Sequence, residues 1–163
     1  MKLIRNFLKN YLGIVFKQDI YEILLKEYLV HGDPSKLSIA KNATVNNALF
    51  NLASGSIFVD EYVFFGHNVS ILTGTHDFSK IGKQRKEAVP RQGNDIIINK
   101  GVWIASNTTV MGPSTIGENS VIGACSLVIG DVPPNSLYFG TPAKFVKDLS
   151  CSYQEIQQYR EQI

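Results

Sequence analysis

The side chains best suited to proton transfer, metal ligation or nucleophilic attack in this chain of 163 residues are few: His31, His67, His76, Cys125 and Cys151. Their spacing argues against a metal centre. The cysteines are far apart, with no paired ligand spacing, and His67 and His76 are nine residues apart and fall in different slots of the pattern described next. His76 is the candidate for chemistry. An unperturbed imidazole titrates near ~6.5, so it can accept a proton at neutral pH and act as a general base. Asp77 follows it. An acid there either orients and raises the imidazole or faces solvent, and the reading adopted is solvent. His67 falls in a turn of the pattern, where it is expected to be exposed, and His31 sits at the break His31-Gly32-Asp33-Pro34.

The elements that must position His76 are legible as a period of six. Ile98, Ile104, Val110, Ile116, Ile122 and Val128 open six successive blocks, and Val102, Thr108, Ser114, Ser120, Ser126 and Val132 fill their fifth places. The fifth residue of one block and the first of the next are two apart, so in a strand both face the same way. Each block then holds a short strand and a turn rich in Gly, Asn and Asp. A short fixed period of this kind signals a solenoid with aliphatics stacked along its axis. The same pattern starts at Ile39 and Val45, with Ala43 and Leu49 as inward partners. It slips near residues 50–55 and resumes at Val59, Phe65 and Ile71, with Val63, Val69 and Thr75. Phe58, Phe64 and Ser70 take outward slots, and continuing the count points His76 outward too.

Residues 77–94 lose the period and carry Lys80, Lys83, Arg85, Lys86, Glu87 and Arg91. They read as a loop extruded from the coil, and a long loop on a rigid scaffold often carries function. Pro133-Pro134 ends the repeats. The expected organisation is an N-terminal helical cap at 1–34, a repeat coil at 35–147 with the loop at 77–94, and a tail at 148–163 ending in a short helix. The cap should hold two helices. Leu3, Ile4, Phe7, Leu8, Tyr11, Leu12 and Val15 form one apolar stripe, and Asp19 could cap a second helix with Ile20, Ile23, Leu24 and Leu29. Residues 1–17 hold Lys2, Arg5, Lys9 and Lys17 and no acid. Such a helix suits either a cap over the open end of a solenoid or an anionic membrane surface. A net charge of +2 makes no case for nucleic acid. No apolar run reaches membrane-spanning length, no signal-peptide pattern stands out, and two cysteines suit a reduced, cytoplasmic protein.

Taken together, Thr75-His76-Asp77, Gly101-Val102-Trp103-Ile104, Asp131-Val132-Pro133-Pro134-Asn135 and Gly140-Thr141-Pro142-Ala143-Lys144 resemble the hexapeptide-repeat acyltransferases. The branch is that of maltose, galactoside and surface-polysaccharide O-acetyltransferases, and the resemblance covers roughly residues 37–147. It implies a mainly β fold, a left-handed parallel β-helix, a homotrimer and acetyl-coenzyme A as donor, with no metal. Outward apolar residues such as Phe58, Phe64, Ile97, Val121 and Leu127 would serve the trimer interface. By the same resemblance His76 is the base of a direct transfer to a sugar hydroxyl, on a surface-polysaccharide precursor, and the backbone N–H of Ser106 stabilises the oxyanion. Asn46, Trp103 and Glu87 are the candidates for touching the acceptor. Ser106, Ala124, Ile129 and Gly130 are expected to stack along one corner of the coil and line the coenzyme A groove, with Lys144 and Lys147 at its phosphates. Members of the branch mostly carry Pro where Asp77 stands here. The alternatives are an N-acetyltransferase acting on a nucleotide-linked amino sugar and a non-catalytic trimeric β-helix scaffold.

Overall fold

A computed structural model describes residues 2–150. It opens on a single helix, α1 (Lys2–Lys26). The expected second helix does not exist as a separate element, and Asp19 lies inside α1 rather than at a cap. No proline or glycine separates the two apolar stripes around residue 19, so nothing interrupts the backbone ladder there. The described apolar side chains of α1, among them Ile4, Phe7, Tyr11 and Leu12, are exposed. The coil starts earlier than residue 35. Leu29–His31 forms the first strand, β1, and Tyr28 sets its ring edge-on against Phe50 at 5.6 Å.

The coil is a prism with three faces of parallel strands. The first face stacks β1, β3 (Leu49–Asn51), β6 (Ser70–Leu72), β9 (Thr109–Met111) and β12 (Leu127–Ile129). The second stacks β2 (Leu37–Ile39), β4 (Ile57–Val59), β7 (Ile96–Ile98) and β10 (Ser114–Ile116). The third stacks β5 (Phe64–Phe65), β8 (Trp103–Ile104), β11 (Val121–Ile122) and β13 (Ser136–Gly140), and is closed by β14 (Ala143–Asp148). This is the parallel β-helix expected. All pairings are parallel except β13 with β14, an antiparallel hairpin that ends the coil and that the repeat count gives no sign of. The terminal helix expected beyond residue 150 lies outside the described residues.

The period sets the core. Val59, Phe65, Ile71, Ile98, Ile104, Val110, Ile116, Ile122 and Val128 are buried, as are the fifth-place residues Val63, Val69, Val102, Thr108, Ser114, Ser120, Ser126 and Val132. The inward hydroxyls are not left bare. Thr108 and Ser126 both donate to the Gly123 carbonyl, and Ser120 donates to Pro133. Small polar side chains bonded to the neighbouring backbone satisfy the axis at low cost.

Two inward assignments fail, one at the start of β3 and one beyond the end of β6. Leu49 faces out while Ala48 and Phe50 are fully buried, and Thr73 rather than Thr75 turns inward. The cause of the first is coil length. Early turns bring together residues 20 or 21 apart, whereas Thr109 pairs with Leu127 in the regular six-residue blocks. The additional residues let Phe50 and Leu52 enter the core, and Phe50 fills the widened turn beside Phe65 at 6.3 Å. The corners recur in left-handed conformation. Asn68, Asn107 and Cys125 occupy equivalent places with φ of 58°, 60° and 59°, and asparagine tolerates that region better than most side chains.

Ile104 is fully buried between Phe65 and Ile122 in the axial stack. Ile104→Ala should destabilise the coil by about 2–5 kcal/mol, read as a lowered midpoint in denaturant unfolding.

Candidate active site

His76 stands at the corner between the first and second faces, just after β6, where residues 77–94 leave the coil. The loop is ordered by short bonds at its root. The Asp77 N–H donates to the Ala88 carbonyl at 2.8 Å, and the Asn94 N–H donates to Ser54 at 3.2 Å. Lys36 reaches the Arg91 carbonyl at 3.1 Å. Within the loop a short helix, α2 (Gly82–Glu87), carries no buried residue.

The His76 ring is exposed and held at one nitrogen. Its Nδ1 lies 3.0 Å from the backbone carbonyl of Arg85. A carbonyl can only accept, so Nδ1 carries the proton and Nε2 holds the lone pair. That tautomer is the one a general base needs, with the accepting nitrogen directed away from its anchor.

Asp77 does not serve the histidine. Its carboxylate accepts from the N–H and hydroxyl of Ser79 at 3.0 and 2.6 Å and lies 4.0 Å from the Lys80 ammonium. The Ser79 hydroxyl and N–H, with Lys80 adding a smaller effect, hold this carboxyl below its ordinary value. Asp77 is thus spent on the first turn of the loop, neither orienting His76 nor simply facing solvent.

The other candidates divide between two corners. Trp103 lies on the third face, exposed and stacked on Phe64 at 5.7 Å and 15°; it is not under the loop. Ser106 and Ala124 follow on the corner between the third and first faces, in equivalent places one turn apart. Their backbone N–H groups donate to nothing among the described residues. Gly66 passes close below, and a Cβ there would come within 2.5 Å of the Ser106 nitrogen. The β13–β14 hairpin extends this corner. Thr141 donates to the Cys125 carbonyl at 3.1 Å, and Lys144 and Lys147 stand exposed on β14.

Ile129 and Gly130 do not join Ser106 and Ala124, contrary to expectation. They end β12 and begin the corner that His76 occupies, with Ile129 paired to Met111 and Met111 to Leu72. Ile129 follows Ala124 by five positions, and over them β12 carries the chain across a whole face.

Two acceptor candidates have other partners. Asn46 has φ 44° and donates through Nδ2 to the Phe65 carbonyl at 2.7 Å, so it closes a corner. Glu87 lies 3.7 Å from Lys83 on the solvent side of α2. The asparagine that does lie beside the His76 strand end is Asn51, which pairs with Leu72 and whose amide sits against Gly74. The slipped register around residues 50–55 hid it from the sequence count. Among the described residues no group of three or more His, Cys, Asp or Glu is placed to hold a metal.

The bacterial transferase hexapeptide model, six repeats long, matches residues 95–130. Residues 95–130 are therefore hexapeptide repeats of the bacterial transferase kind, and the fold is similar to that of the hexapeptide-repeat acetyltransferases. The similarities narrow further. The chain is 38% identical to a galactoside O-acetyltransferase of Lactococcus lactis over 108 residues, covering 64% of this chain and 51% of that one. A maltose O-acetyltransferase of Clostridium difficile superposes with a TM-score of 0.53 at 27% identity, covering 76% of this chain and 67% of that one. A hexapeptide-repeat acetyltransferase of Vibrio cholerae, solved with acetyl coenzyme A, superposes with a TM-score of 0.52 at 25% identity, covering 82% and 76%. The chain spans about half the length of the curated relatives it matches.

The lowered value of Asp77 fixes the acid behaviour of the loop root. A carboxyl depressed in the folded protein contributes stability above its unfolded value, and that contribution is lost as pH falls through the folded one. The Ser79 amide should keep its protection from hydrogen exchange in weak acid and lose it below the ordinary carboxylate range. In Asp77→Ala the protection should be missing at every pH.

Proposed function

We propose that this protein is an acetyl-coenzyme A-dependent O-acetyltransferase acting on a sugar hydroxyl by direct transfer. The observation that carries the reading is His76, exposed at the root of the loop with Nδ1 held and Nε2 free. In the proposed step Nε2 takes the proton of the acceptor hydroxyl as its oxygen bonds to the thioester carbonyl carbon. The carbonyl becomes an oxyanion, for which the Ser106 N–H is the donor. Collapse breaks the carbon–sulfur bond, and the departing thiolate takes the proton back from the imidazolium, leaving the acetylated sugar and coenzyme A.

His76 and Ser106 occupy different corners of one prism, so the reading requires a second copy of the chain. The exposed Phe58, Ile97, Phe64 and Trp103 on the second and third faces supply apolar area for a homotrimer. In that arrangement Ser106, Ala124, Lys144 and Lys147 of one copy form one wall of the donor groove. His76, Ile129 and Gly130 of the next form the other. Neither Asn46 nor Glu87 is free for the acceptor in one chain, and Asn51 takes their place in this reading. The sugar class rests on the galactoside and maltose relatives, and the polysaccharide precursor on the N-terminal helix.

That helix bears on where the acceptor is met. Arg5 and Lys17 accompany exposed Ile4, Phe7, Tyr11 and Leu12, and residues 1–17 contain no acid. A basic, apolar helix of this kind lies on anionic lipid, where lipid-linked sugar chains are carried. Among the described residues no helix is long and apolar enough to cross a membrane. The unpaired Cys125 thiol suits a reducing, cytoplasmic compartment.

Thiol release from acetyl-coenzyme A, screened against sugars, nucleotide sugars and lipid-linked oligosaccharides, tests the activity. His76→Ala should lower turnover about 10²–10⁴-fold, and Lys144→Ala/Lys147→Ala should weaken coenzyme A binding with turnover at saturation retained. No turnover and no coenzyme A binding would leave a scaffold. Sedimentation with phosphatidylglycerol vesicles tests the helix: the wild type should bind, and Phe7→Asp/Tyr11→Asp should not. Equal recovery with pure phosphatidylcholine vesicles would remove the electrostatic part of the argument.

A further inference from the structure

The loop that holds His76 is bonded at its root, but its helix has little to fix it. Its helix α2 spans six residues, has no side-chain cap at Ile81 and buries nothing, and an isolated helix of that length is unstable in water. Yet the Arg85 carbonyl on α2 selects the His76 tautomer. Something must keep that carbonyl in place. The Asp77 N–H holds the C-terminal end of α2 through the Ala88 carbonyl at 2.8 Å, and among the described residues the Arg85 side chain ties the body of α2 to residues 78–80. Its Nε donates to the Lys80 carbonyl at 2.6 Å and its Nη2 to the Phe78 carbonyl at 3.4 Å. A closed ring results. It runs from the imidazole Nδ1 to the Arg85 carbonyl, along the Arg85 side chain to Phe78 and Lys80, and back along the chain to His76.

We propose that Arg85 is a positioning residue for His76, whose guanidinium fork clamps residues 78–80 so that its own carbonyl holds Nδ1–H and leaves Nε2 to accept the proton. The fork is suited to this, since it presents several donors in one rigid plane and meets two carbonyls at once. A lysine offers a single flexible ammonium and satisfies one of them. The rest of the loop root does a different job. The Asp77 N–H holds Ala88 beyond α2, the Asp77 carboxylate is taken by Ser79 and Lys80, and Lys83 and Glu87 pair on the solvent side of α2; none of these bonds reaches the Phe78 and Lys80 carbonyls. The proposal rests on the general-base reading for its catalytic consequence, and on geometry alone for its effect on the ring.

The test uses the full chain with Arg85→Ala and Arg85→Lys, and two readouts. Nitrogen chemical shifts of the His76 ring, assigned by comparison with His76→Ala, report the tautomer whether or not any acceptor is known. The wild type should show a protonated Nδ1 and a bare Nε2. Arg85→Ala should shift the ring towards the Nε2-protonated form, and Arg85→Lys should fall between. The thermal midpoint should be unchanged, because Arg85 touches no core residue. With an acceptor in hand, Arg85→Ala should lower kcat about 10–100-fold with KM for acetyl-coenzyme A little altered. A wild-type ring already protonated at Nε2, or an Arg85→Ala ring identical to wild type, overturns the proposal. A ring that responds as expected in a protein that transfers no acetyl group upholds the clamp and overturns the enzymatic reading.

Discussion

The parallel register between successive turns is the constraint on which everything else depends. Ile57 pairs with Ile96 and Ile96 with Ser114; Phe65 pairs with Ile104 and Ile104 with Ile122. Because each rung sits directly on the next, a side chain's position along the axis is fixed by counting turns, and its face by which strand it lies on. The inward positions then admit only what the narrow axis holds. That means aliphatics, one widened turn around Phe50, and hydroxyls small enough to bond the next turn's backbone.

This rigidity lets a long insertion be tolerated. Residues 39 apart meet across the loop, as in the Asp95 contact with Ser56 and the Ser106 contact with His67, with no loss of register on either side. Closing a longer loop costs little more than closing a short one, so the coil carries residues 77–94 without disturbing β6 or β7. The loop, built of exposed and mutually bonded polar groups, is free to be specified by His76. Its root is shaped by Asp77 and Ser79, and its contact with the imidazole is made by a backbone atom.

The three-sided cross-section has a consequence for chemistry. A concave site needs two walls, and a convex prism offers corners instead. Here the imidazole stands on one corner, while the amides of Ser106 and Ala124, which donate to nothing among the described residues, and the lysines of β14 stand on another. Exposed aromatic residues flank them on adjoining faces. A groove that uses both sets forms only where two prisms meet, which ties the proposed activity to assembly.

By itself the sequence determined the period, hence the parallel coil, its core column from Val59 to Val132, the extruded loop and the outward placement of His76. Each follows from a two-residue face alternation repeated at a fixed spacing, a strictly local property. Where spacing varies, the local signal fails: Leu49 and Thr75 do not take the inward places the count gives them, and the coil begins at Leu29 rather than at residue 35. Only the tertiary structure decided that Ser106 and Ala124 share a corner from which Ile129 and Gly130 are excluded, since a corner is defined by which turns stack and not by nearness in the chain. It alone decided that Asp77 serves Ser79 and that the imidazole is held by the Arg85 carbonyl. That partner is a main-chain atom, which every residue possesses, so no residue type in the sequence could have announced it.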